Sequence, residues 1–239
     1  MENPLRQAVS DMTVPQGTKV MTEPTGTTVI AVPDGTEIIE TLGWHPDTGV
    51  RHVDLHLARM QRSAAALEYQ FDASIARSLL AGLASLQPLR CRLALGAAAM
   101  TLTTAPVPPT KSRWRVGIAP QRLSSADPWL AHKTTQRAVY DNARASLPDG
   151  QDEWLFVNER DEVCEGAITT LFVTLPDGTR ITPPLSSGLL PGILRQTLLD
   201  AGYMEQVVTL DTLRDATEIH MGNALRGLIP CDVIGIGAD

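Results

Sequence analysis

At 239 residues with 43% hydrophobic side chains, the chain is long enough for one large domain or two small ones sharing an interface. A net charge of −7 and a pI near 5.2 argue against nucleic acid or an anionic membrane as its main partner. Cys91, Cys164 and Cys231 are odd in number and form no CxxC pair, so a reduced, cytoplasmic setting is expected.

Residues 1–35 mix Pro, Gly, Thr and charge without periodicity, which predicts an extended or poorly ordered arm. They lack the uninterrupted apolar core of a secretory signal, and no run in the chain has bilayer-spanning length. The first clear element is a strand over 37–44, "EIIETLGW", ending at the turn "HPDTGV". Leu55, Leu57, Met60, Ala64 and Leu67 then recur at helical spacing, with Asp54 as the expected N-cap. Asp72 or Ser74 opens a second helix that stops before Pro88. Two strands, "RCRLALGA" and "MTLTTAPV", and a third at 113–120 follow.

A loop leads to Lys133, after which "TTQRAVYDNARASL" reads as a helix capped by Thr134 or Thr135. Two hairpins come next, with turns near Glu159–Asp161 and Asp177–Gly178. "SSGLLPGILRQTLLDAG" is a loop turning into a helix, and the chain ends in strands around a short helix at "LRDA". Strands and helices alternate irregularly, which predicts an α+β (mixed α/β) fold in two lobes. The expected divisions are 36–115 for a small N-terminal α/β domain and 116–239 for a larger C-terminal domain.

Of the 20 lysines and arginines only Lys19, Lys111 and Lys133 are lysine. Lys133 alone sits where an extended segment meets a helix, and lysine, unlike arginine, can lose its proton and act as an amine nucleophile. In "SGLLPGILRQ", Pro191 suits a first helical turn, and Gly192 lets a ligand approach the amides of Ile193 and Leu194. Free amides at a helix start attract phosphate; an ordinary helix start explains the same residues. Glu165 follows a strand and precedes Gly-Ala, so it either meets a cationic ring nitrogen in a cleft or faces solvent. Gly222, Asn223 and Ala224 line a site or make a turn. Arg59, one turn beyond His56, grips a phosphate or is an ordinary exposed charge. His52 and His56 lack the partners of a metal set, and no GxSxG, P-loop or GxGxxG occurs. Lysine, then glutamate after a strand, then a Gly-rich helix start and a small-residue turn supply a Schiff-base amine, a ring-nitrogen partner and a phosphate cup, the three needs of pyridoxal phosphate.

With "DLHLARMQRSAAAL", "HKTTQRAVYD", "NERDEVCEGAITTLFV", "TPPLSSGLLPGILRQTLL" and "MGNALRGLIP", the sequence resembles the class IV (fold type IV) pyridoxal-phosphate enzymes over about residues 36–235. "GILRQ" and "NALRGLIP" lean toward 4-amino-4-deoxychorismate lyases. The resemblance implies pyridoxal 5'-phosphate held between a smaller N-terminal and a larger C-terminal domain. It implies Lys133 as the Schiff-base lysine and proton carrier, and Glu165 on the ring nitrogen. Arg59, the amides of Ile193 and Leu194, and the Asn223–Ala224 turn would hold the phosphate. Tyr140 would touch the ring hydroxyl and Thr41 the substrate. It further implies a homodimer acting on a small amino substrate, with no metal. Two activities follow: a lyase releasing pyruvate and 4-aminobenzoate, or an aminotransferase acting on a branched-chain or D-amino acid or an amine. The alternative is a non-catalytic module that keeps the fold. One departure is Thr170, which stands where the aminotransferases commonly carry Asn.

Overall fold

The computed structural model describes residues 12–15 and 30–236. The chain divides into two compact units, Met1–Pro108 and Pro109–Asp239. Both are mixed α+β.

In the first unit, strands β1 (Met12–Pro15), β2 (Ile38–His45), β3 (Gly49–Val50), β4 (Leu89–Leu95) and β5 (Ala99–Pro106) form one sheet in the order β1-β5-β4-β2-β3. Every pairing in it is antiparallel. β1 lies inside the expected arm, whose residues 1–11 and 16–29 fall outside the described residues. Helix α1 (Val53–Ala66) packs on β2, and α2 (Ala73–Ala81) packs on β5. Period-2 alternation turns Ile38 and Leu42 to the covered face, where Leu57, Met60 and Ala64 of α1 meet them at 3.6-residue spacing.

The start of α1 differs from the sequence reading. His52, at φ 53, precedes α1, so Asp54 sits within the first turn, where a carboxylate still favours the positive end of the helix dipole. α2 does begin at Asp72, whose carboxylate accepts from the Ser74 amide at 2.7 Å. It stops at Ala81, however, and Leu86 beyond it is 99% exposed.

The second unit contains β6 (Trp114–Leu123), α3 (Ala138–Ala145), β7 (Glu153–Asn158), β8 (Val163–Gly166), β9 (Thr170–Thr174), β10 (Arg180–Thr182), α4 (Ile193–Asp200), β11 (Met204–Glu205), α5 (Leu210–Asp215), β12 (Glu218–Asn223) and β13 (Gly227–Ile234). Their order is β11-β10-β9-β12-β13-β6-β7-β8, and a further β8–β9 pairing closes six of these strands into a ring. The closing pair is Glu165 opposite Thr170. One buried cluster of this unit joins Val116, Leu155, Val163, Leu171, Ile181 and Met221. A second cluster joins Tyr140 and Ala143 of α3 to Phe156 and Cys164.

The helix after Lys133 begins only at Ala138, with Arg137 as its cap residue. Thr134 caps no helix: its hydroxyl accepts from the Gln136 amide at 3.1 Å, the local turn that threonine offers in place of a helix. Among the described residues no helix is long and apolar enough to cross a membrane.

Candidate active site

Glu165 is the centre of the second unit's polar interior. It lies in β8, whose four residues are all buried, and is itself 5% exposed. Tyr140 of α3 donates its hydroxyl to Oε1 at 2.6 Å, and the backbone amide of Leu190 donates to the same carboxyl group. Burial pushes the Glu165 carboxyl up to about 7. The Tyr140 and Leu190 hydrogen bonds and the charges of Lys133 and Arg137 oppose that rise without cancelling it. Tyr140 is held edge-on to Phe156 at 5.1 Å, with the Arg137 guanidinium 5.5 Å from its ring centre. Burial beside Glu165 raises the phenol far above its ordinary value, so it stays a donor.

Lys133 follows a 3-10 turn, Pro128–Ala131, which Asp127 starts by accepting from the Trp129 amide at 2.9 Å. The lysine is half-buried, and its charge acts on Glu165.

The corner between β8 and β9, residues 166–169, is tied at each peptide. Gly166 N–H donates to Thr169 O at 2.8 Å. Arg137 donates to Ala167 O at 2.9 Å, and the Asn223 side-chain amide donates to Ile168 O at 3.1 Å. The Ile168 amide and the Thr169 hydroxyl both donate to Glu153 Oε2 at 3.1 Å. Glu153 is fully buried, and burial raises its carboxyl despite Arg144 nearby and those donors. Neither Glu153 nor Arg137 is singled out by the sequence reading. Their signal is spatial, because the corner they clamp is assembled from three separate stretches of chain.

α4 begins at Ile193 after Gly192, with no side chain capping its first amides. A Cβ on Gly192 would lie 2.8 Å from Thr170 Oγ1, and one on Gly222 would lie 2.8 Å from Leu194 Cδ2. Gly192 thus lets the helix start lie close to β9, and at Gly222 the Gly227 carbonyl, 2.6 Å from the same built position, leaves no room for a side chain. Asn223 Oδ1 accepts from the amides of Leu225 and Arg226 at 3.1 and 3.0 Å, which shapes the turn containing Ala224. Lys133, Tyr140, Glu165, Ile193, Leu194, Asn223 and Ala224 thus all belong to the second unit. Tyr140 reaches Glu165 with its hydroxyl.

Thr41 and Arg59 belong to the first unit. Thr41 is half-buried on β2. Arg59 is 4% exposed and grips Glu40 side-on, Nε to Oε1 at 2.8 Å and Nη2 to Oε2 at 2.7 Å. His56 Nδ1 adds a third contact, 2.6 Å from Oε2. Of the two sequence readings of Arg59, the exposed surface charge is the one this burial removes. Glu40 did have a sequence signal: it alternates with Ile38 and Leu42 and so shares their buried face.

A family model for amino-transferase class IV matches residues 37–234. Among solved structures, a putative amino-acid aminotransferase from Mesorhizobium loti is 39% identical. It covers 83% of this chain and 100% of its own, with a TM-score of 0.77. A probable branched-chain-amino-acid aminotransferase of Thermotoga maritima is 31% identical over 42% of this chain and 38% of its own. An aminodeoxychorismate lyase of Saccharomyces cerevisiae is 30% identical over 48% of this chain and 36% of its own. The match thus spans well under half the length of these two curated relatives.

Proposed function

The chain belongs to the amino-transferase class IV family of pyridoxal-phosphate enzymes, and from that premise we propose that it is a 4-amino-4-deoxychorismate lyase, releasing pyruvate and 4-aminobenzoate. The observation that carries the cofactor chemistry is Glu165, a buried carboxyl pushed up to about 7 on which the charge of Lys133 acts. The yeast lyase and the motifs "GILRQ" and "NALRGLIP" support the choice of reaction.

The residues fit the cofactor. Lys133 supplies the amine that holds it, and Glu165 a carboxylate for its ring nitrogen. The bare start of α4, with Gly192 and Gly222 cut back to backbone, offers Ile193 and Leu194 amides to its phosphate. When bound, pyridoxal phosphate supplies an electron sink for the bond broken at the substrate's α-carbon.

The chain's own groups do the rest. Lys133 Nζ would take the proton from the carbon that bears the amine and pass it to the departing enolpyruvyl group, whose bond to the ring breaks as the ring becomes aromatic. Glu165, costly to ionise alone, becomes a stable carboxylate once a protonated nitrogen faces it. Tyr140 fixes Oε1 of that carboxylate through its hydroxyl, and the clamped 166–169 corner stops the carboxylate from drifting. Within the first unit, Glu40 and His56 hold Arg59 in one fixed position. The enzyme is a homodimer of the cytoplasm, a setting that its three unpaired, buried cysteines support.

The test is direct. Purified protein mixed with aminodeoxychorismate, without added keto acid, is expected to release 4-aminobenzoate and pyruvate together. Lys133→Ala is expected to lose the cofactor's visible colour on dialysis and at least about a hundredfold in turnover. Colour that survives dialysis in that variant overturns the assigned lysine. A second reading, transamination of an amino acid or amine, draws on the Mesorhizobium protein at 39% identity. Amino transfer from D-alanine or a branched-chain amino acid, with no 4-aminobenzoate released, would replace the first reading with the second. A protein that takes up no cofactor would leave only the non-catalytic module.

A further inference from the structure

Five threonines are buried among the described residues: Thr36, Thr134, Thr169, Thr170 and Thr182. Four of them use the hydroxyl within the protein. Thr36 donates to Pro33 O at 2.7 Å, Thr169 to Glu153 at 3.1 Å and Thr182 to Leu171 O at 2.8 Å, while Thr134 accepts from the Gln136 amide. Thr170 is 5% exposed, and among the described residues nothing hydrogen-bonds to its hydroxyl. A hydroxyl left unused on a residue this buried is open to a partner from outside the chain.

The direction of this hydroxyl identifies the partner. Thr170 opens β9, pairing with Glu165 on one side and Gly222 on the other. Its Oγ1 points at the first turn of α4, so closely that a Cβ on Gly192 would lie 2.8 Å away. The next two amides of the chain are those of Ile193 and Leu194, which no side chain caps. The hydroxyl beside Gly192 and the two uncapped amides that follow Gly192 in the chain are all donors. Such a set suits an anion with several acceptor oxygens.

We propose that Thr170 is a further cofactor-holding residue, whose hydroxyl donates to the phosphate seated at the start of α4. The proposal rests on the pyridoxal-phosphate reading above. The asparagine common here in the aminotransferases offers two donors and an acceptor on a longer stem. Threonine instead presents one donor close to the backbone, which ties it to a ligand in the cup. It also gives Gly192 a second reason to be glycine, since any side chain there would displace the donor.

The experiment strips cofactor from the full-length holoenzyme and titrates it back with pyridoxal phosphate or with pyridoxal, which lacks the phosphate. Cofactor uptake is followed by absorbance. Thr170→Val keeps the shape and removes the hydroxyl, and is expected to weaken pyridoxal phosphate by about tenfold, the worth of one hydrogen bond to a charged group. Pyridoxal affinity is expected to stay as in the wild type, and Thr170→Ser to restore the phosphate advantage. Thr170→Ala carries the same comparison if the valine variant fails to fold. No weakening, or equal weakening of both ligands, overturns the role of Thr170 while leaving Lys133 as the cofactor lysine. Failure of the wild type to take up pyridoxal phosphate overturns both readings.

Discussion

Two buried carboxylates, one in each unit, are driven in opposite directions. Glu40, in the first unit, would be raised by burial, but the Arg59 charge and hydrogen bonds from His56 and Arg59 pull it down to about 2. Glu165, in the second, is raised by burial to about 7, because one phenol, one amide and more distant charges repay too little. Both are almost fully buried, so burial does not explain the difference. The partners do. Glu40 meets a guanidinium fork that matches its two oxygens and is already neutralised. Glu165 is left short of one positive charge. A carboxylate saturated by the protein is a fastening, and one left short can receive a cation, the role proposed for Glu165.

The strongest way to break that contrast is to remove Glu40. Glu40→Ala leaves Arg59 buried without its carboxylate, and is expected to cost about 3–5 kcal/mol of stability in chemical denaturation. A loss below about 1 kcal/mol would mean that the triad is no fastening. For Glu40 the folded pKa is depressed, so its contribution is present above its ordinary 4.5 and is lost as pH falls toward about 2. For Glu165 the sign reverses. The folded state holds this proton more tightly than the unfolded chain, so stability falls as pH rises from its ordinary 4.5 to about 7, and no further above that. The fall in cofactor-free protein is expected to be on the order of 3 kcal/mol. Glu165→Gln, which cannot ionise, is expected to remove it. A variant whose stability keeps the wild-type slope between pH 5 and 7 would show that the raised carboxyl is elsewhere.

Glu153 sharpens the contrast from a third position. It too is raised by burial, yet it accepts from the Ile168 and Trp154 amides and the Thr169 hydroxyl, so its lone pairs are occupied. Glu153→Gln keeps the size and replaces one acceptor by a donor facing donors. It is expected to cost about 1–3 kcal/mol in stability. Because the corner carries Glu165, cofactor affinity should fall with it. A stability loss with cofactor affinity unchanged would separate the corner from the site.

How much of this was legible follows from the range of each interaction. Lys133, Glu165 and the Ile193–Leu194 helix start stand in chain order with local signatures: an odd lysine, a strand-end carboxylate, a Pro-Gly before an apolar run. The β7–β8 and β9–β10 hairpins were legible for the same reason, since their turns lie within the stretch being read. The state of a charge was not. Arg59 spaces like a surface residue, and only Glu40, 19 positions away in sequence, makes its burial tolerable. Helix starts failed where short side chains had competing local bonds, as Thr134 shows with the Gln136 amide. Thr170 reads as a departure from a family pattern in sequence. Its unused hydroxyl becomes visible only when Gly192 and Gly222 are brought beside it.

The finest test of the contrast removes a single atom. Tyr140 Oη donates to Glu165 Oε1 at 2.6 Å and is the strongest of the forces opposing the upward push of burial. Tyr140→Phe keeps the ring packed edge-on to Phe156, so the core loses no volume. It takes one donor from the carboxylate and leaves the Leu190 amide and the charges of Lys133 and Arg137 in place. The Glu165 carboxyl should then titrate above about 7, and the window over which cofactor-free protein loses stability should extend to higher pH. At pH 8 the variant should be less stable than the wild type by about 1 kcal/mol, the net worth of one hydrogen bond. At pH 5, where Glu165 is protonated in either protein, the two should differ less. A deficit equal at both pH values would mean that Tyr140 supports the core and not the charge on Glu165.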